Sequence, residues 1–69
     1  MFKKVDKWST AIEIAEQIYA KFMENPDYSC EDAQNDFDVY SYGVIYCACT
    51  LVDARLCLEG KSERLKWSV

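Results

Sequence analysis

On a helical wheel of about 100° per residue, Trp8, Ala11, Ile12, Ile14, Ala15, Ile18, Tyr19, Phe22 and Met23 fall on one half, and Glu13, Glu16, Gln17, Lys21 and Glu24 share the other. The pattern predicts an amphipathic helix with one face toward a core. Thr10 with Glu13 has capping-box spacing, so the helix is expected to start at Ser9 or Thr10 and run about 17 residues to Asn25. Pro26 closes it, because the residue before a proline is pushed out of helical geometry.

Asn25-Pro26-Asp27-Tyr28 reads as a turn, and Ser29 with Asp32 repeats the capping signal. Beyond it Ala33, Phe37, Tyr40, Val44, Cys47, Leu51, Ala54 and Leu58 recur in steps of four and three. That spacing predicts one long helix over residues 29–59, with Gly60 just past its end and Gly43 as the expected kink. A strand through Val39–Leu51 competes, since the segment is rich in Tyr, Val, Ile, Cys and Thr, but strict alternation is missing and no second strand could pair with it. The expected fold is all-α: a helical hairpin of unequal arms, with residues 61–69 as a short helical turn or ordered tail.

Between residues 44 and 58 the wheel carries two apolar stripes, Val44, Cys47, Leu51, Ala54, Leu58 and, about 120° away, Ile45, Cys49, Val52, Leu56. The first helix of a hairpin can cover one of them. Two solutions follow: Gly43 folds the second half back so that three short helices share a core, or a second copy covers the second stripe. The second is favoured, which places Ile45, Cys49, Val52 and Leu56 at the interface of a homodimeric helical bundle. The size of the chain points the same way. Sixty-nine residues make one domain that buries only roughly 60% of its unfolded surface, and such domains lean on disulfides, metals or association.

The four cysteines do not read as a metal site. Cys47 and Cys49 would project about 200° apart on a helix, and the chain contains no histidine. Lys3 and Lys4 are followed by no apolar stretch of secretory type, and the run Val39–Val52 is shorter than a membrane span. A cytoplasmic protein with reduced cysteines, no cofactor and no membrane attachment is expected. Asp36 and Asp38 open like a calcium loop, but Tyr40, Ser41 and Cys47 stand where a ligand, a glycine and a glutamate are required.

Charge is unevenly spread: residues 1–21 carry +1, residues 22–54 carry −7 with no Lys or Arg, and residues 55–69 carry +2, leaving −4 overall. Scattered lysines and arginines are poor material for nucleic-acid phosphates. No phosphate loop, catalytic base or nucleophile pairing is evident, so no enzyme is expected. The acidic middle suits a basic protein surface, and Tyr42 and Tyr46 share a helix face as interface anchors. Asp36, Asp38, Tyr42 and Tyr46 are therefore the candidate partner-binding residues. The expected function is stoichiometric binding to another protein as a regulator or inhibitor, of the kind phages and mobile elements direct at host or defence proteins. A self-assembling subunit and a small-ligand sponge binding between protomers are the alternatives.

Overall fold

A computed structural model describes residues 7–67, the side chain of Lys7 excepted. Within them the chain forms α1 (Lys7–Glu24), α2 (Cys30–Asp36) and α3 (Tyr42–Leu58), with no named strand. The all-α class is as expected, but the single long second helix is not present.

α1 starts earlier than expected, so Ser9 and Thr10 lie inside it and not at its cap. Its end is where Pro26 requires: Asn25 N donates back to Lys21 O at 2.9 Å, and Asn25 Oδ1 accepts from Asp27 N at 3.1 Å to form the turn. Ser29 then caps α2 through the expected capping box, its Oγ accepting from Asp32 N while Asp32 Oδ2 accepts from Ser29 N, both at 3.1 Å.

The chain leaves helical geometry at Phe37 and re-enters at Ser41, whose hydroxyl accepts from Val44 N at 3.4 Å. Asn35 to Ser41 contains only residues of middling to low helix propensity, and Asp36 and Asp38 at the end of a helix oppose its dipole. The break therefore precedes Gly43, which sits in the first turn of α3 with open space around it. At the other end Gly60 adopts φ +78°, with Gly60 N donating to Cys57 O and Lys61 N to Leu56 O, both at 3.0 Å. This is the glycine-dependent helix stop expected at that position.

Folding back at residues 37–41 decides which stripe of α3 is covered. Ile45, Cys49, Val52 and Leu56 are no more than 2% exposed in the single chain, packed with Ile14, Ile18 and Phe22 of α1, Ala33 of α2 and Leu65 of the C-terminal tail. They form the core of the single chain, so the stripe expected at a dimer interface is already covered from within. Val44 and Leu51 are only partly buried and Leu58 is 89% exposed, so the stripe assigned to α1 is the outward one.

Residues 61–67 close the core as a non-helical tail. Asp53 on α3 takes two donors from it, Leu65 N at 2.9 Å and Trp67 Nε1 at 2.8 Å. Cys30 N donates to Lys66 O at 2.8 Å beside a parallel bridge between Ser29 and Lys66. Lys66 Nζ also meets Asp27 Oδ1 at 2.9 Å, and this contact holds the exposed Asp27 carboxyl below its ordinary range. With Leu65 buried beneath it, the tail is an integral fourth wall.

Candidate functional site

The residues with side chains suited to recognition lie where α2 hands over to α3. Asp38, Tyr40 and Tyr42 line a shallow hollow of about 150 Å³ together with Gln34 and the edge of Ile45. Tyr42 and Tyr46 are successive turns of α3, as their spacing predicted, with ring centroids 5.9 Å apart. Tyr46 in turn meets Trp67 edge-on at 5.1 Å. Tyr42 and Tyr46 are 60% and 47% exposed, so the row Tyr42, Tyr46, Trp67 is a continuous aromatic strip with wet faces.

Asp38, Tyr42 and Tyr46 are thus neighbours, as expected. Asp36 is not part of this surface, because it is committed to the fold. It accepts from the Tyr28 hydroxyl at 2.7 Å and pairs with Lys21 Nζ at 3.9 Å, tying α2 to the end of α1. Burial, with help from this hydrogen bond to Asp36, pushes the Tyr28 hydroxyl well above the ordinary tyrosine range. Tyr40, placed in the core stripe by its spacing, is instead 42% exposed, since the break at residues 37–41 removes it from any helix face. Trp67 was missed because its position next to Tyr46 depends on Asp53 and the tail, a long-range contact with no local sequence signal.

A second exposed apolar area runs along the outer seam of α1 and α3. Trp8 (58% exposed), Ala11, Val44 and Cys47 line one hollow there, and Ile12 (40% exposed), Ala15 and Leu51 line the next. Glu16 and Arg55 flank it. Arg55 is itself engaged, with its guanidinium 3.8 Å from the Tyr19 ring centroid and its Nε 3.2 Å from Glu59 Oε2.

Cys30 and Cys49 are buried and Cys47 and Cys57 are exposed, all as free thiols. Burial raises the Cys49 thiol far above its ordinary range, with Cys30 beside it adding to the effect, so Cys49 is a neutral core residue. Among the described residues no group of three or more His, Cys, Asp or Glu could hold a metal ion, and no helix is long and apolar enough to cross a membrane. Compared with known protein families, characterised proteins and solved structures, the chain matches none.

Proposed function

We propose that the protein acts by stoichiometric binding to another protein, as a regulator or inhibitor, through the surface built from Asp38, Tyr40, Tyr42, Tyr46 and Trp67. The observation that carries this reading is the aromatic surface itself, the partly exposed rings of Tyr40, Tyr42, Tyr46 and Trp67 beside Asp38, with the three tyrosines and Asp38 in a segment without Lys or Arg. Aromatic residues left wet in a monomer are the usual anchors of interfaces, because one ring covers much area with little entropy to lose. The surrounding acids add long-range attraction for a basic partner and speed the encounter.

The experiment is capture with the tagged full chain, followed by quantification of what binds. A single protein retained at one-to-one stoichiometry, and lost with Tyr42→Ala or Tyr46→Ala, supports the reading. Retention unaffected by both substitutions refutes this surface, and an empty capture across the relevant host lysates refutes the reading. The intended target as a host or defence factor is part of the same proposal and is tested by the identity of the captured protein.

The outer seam favours a second reading, self-assembly. Trp8, Ile12, Val44 and Leu51 offer apolar surface that one copy could present to another, in place of the buried stripe first expected there. Light scattering decides it: a mass twice 8.0 kDa that falls to 8.0 kDa with Leu51→Glu supports assembly, and 8.0 kDa for the wild type excludes it.

A further inference from the structure

Two tyrosines of the molecule share a three-part arrangement. Tyr19 donates its hydroxyl to Glu59 Oε1 at 2.6 Å, Glu59 Oε2 accepts from Arg55 Nε at 3.2 Å, and the Arg55 guanidinium covers the Tyr19 ring at 3.8 Å. Tyr28 donates to Asp36 Oδ2 at 2.7 Å, and Lys21 Nζ lies 3.9 Å from that oxygen and 6.0 Å from the Tyr28 ring centroid. In each unit the ring supplies a π face, the carboxylate a full charge, and the chain's own cation satisfies both.

A third grouping of rings and carboxylate stands at the α2–α3 junction, here, among the described residues, without a tyrosine hydroxyl bound to the carboxylate and without a cation. Tyr40, Tyr42 and Asp38 line one hollow with Gln34, and among the described residues Asp38 makes no hydrogen bond or ion pair. No Lys or Arg occurs anywhere between residues 22 and 54 to supply one locally. Gln34 Nε2 is directed to Cys30 Sγ at 3.8 Å, which leaves the Gln34 carbonyl oxygen as a further acceptor. The helix start at Tyr42 is served by the Ser41 hydroxyl, so the charge of Asp38 is not consumed in capping.

We infer that this hollow receives an arginine side chain from a basic segment of the partner protein, completing the unit that the fold builds twice with its own cations. This rests on the reading of the aromatic surface as a protein contact, and it names what that contact recognises. At about 150 Å³ the hollow holds one side-chain head; sites for small-molecule ligands begin at roughly 300 Å³. Arginine fits better than lysine because a flat guanidinium stacks on a tyrosine while its forked donors reach Asp38 and Gln34 together.

The test is an NMR titration of the isotope-labelled full chain with the peptide Gly-Arg-Gly-Arg-Gly, and with versions carrying lysine or neutral citrulline in place of arginine. The arginine peptide is expected to shift amides of residues 38–45, to bind about fivefold more tightly than the lysine peptide, and to lose about fivefold or more with Asp38→Asn or Tyr42→Ala. Glu31→Gln removes the same charge elsewhere on α2 and is expected to change binding less than about twofold. Citrulline binding as well as arginine, or equal losses from Glu31→Gln and Asp38→Asn, overturns the inference, as does the absence of shifts at residues 38–45. Those outcomes leave the protein-binding reading standing, because that reading is decided by the capture and by its Tyr42→Ala and Tyr46→Ala variants.

Discussion

Along α3, Ile45, Cys49, Val52 and Leu56 lie inside the fold, whereas Val44, Cys47, Leu51 and Leu58, one or two residues away in each turn, face outward or sit at the rim. Their apolar content does not separate them. What separates them is polar: Asp53 lies next to the inner stripe and meets two donors, Leu65 N and Trp67 Nε1, that only the tail can bring. On a helix that is apolar on most sides, the carboxylate that must be satisfied selects the side that the rest of the chain covers.

The sharpest way to break the comparison is to truncate one leucine from each side. Leu56→Ala should cost about 2–5 kcal/mol in urea denaturation, the range for a large-to-small change at a fully buried site. Leu58→Ala, at 89% exposure, should stay within about 0.5 kcal/mol of the wild type. Equal costs would mean that the two stripes are not distinguished by the fold.

Asp53 comes next. Asp53→Ala strands two tail donors and is expected to cost about 1–3 kcal/mol, with Trp67 fluorescence shifting to the red as its indole loses the carboxylate. Asp53→Asn keeps one acceptor and should fall between. An unaltered Trp67 spectrum in Asp53→Ala would show that the tail is held by Lys66 and Leu65 without it.

Smaller effects come from pH, with opposite signs at the two ends of the scale. Burial raises Tyr28 and Cys49, so the unfolded chain loses these protons first and stability should fall as pH rises above about 8.5, and further above about 10. Tyr28→Phe should flatten the upper part of that decline. Glu59, held low chiefly by the Tyr19 hydrogen bond, and Asp27, held low by Lys66, contribute stability above their ordinary range of about 4 that is lost as pH falls through it. Both lie at the surface, Asp27 with its side chain 80% exposed and Glu59 33%, so salt should weaken this acid limb further. Thermal melts across pH, in low and high salt, check both limbs.

Local signals were readable and long-range ones were not. Most of the α1 face, its stop at Pro26, the Ser29–Asp32 box and the Gly60 stop each depend on a few adjacent residues and were legible, although Trp8, Ile12 and Met23 on the expected α1 face are exposed. The break at residues 37–41 was hidden by a 3–4 repeat that ran through it, although the weak helix formers Asn35 to Ser41 were its cause. Once the helix is broken there, Tyr40 leaves the core and the inner stripe becomes available to α1 and α2. At the candidate site, Tyr42 and Tyr46 were found from i, i+4 spacing and Asp38 from its nearness to them. Gln34 and Trp67 were not, because a turn and a tail contact bring them in.

Cysteine alkylation of the native protein, mapped residue by residue, tests the assignment of the two stripes most directly. Cys49 marks the inner stripe and Cys47 the outer, with Cys30 and Cys57 as a second buried and exposed pair. The fold predicts rapid labelling of Cys47 and Cys57 and protection of Cys30 and Cys49 until denaturant unfolds the chain, unchanged on dilution. Labelling of Cys49 at the rate of Cys47, or protection of Cys49 that disappears on dilution, would contradict it and return the inner stripe to an interface between copies.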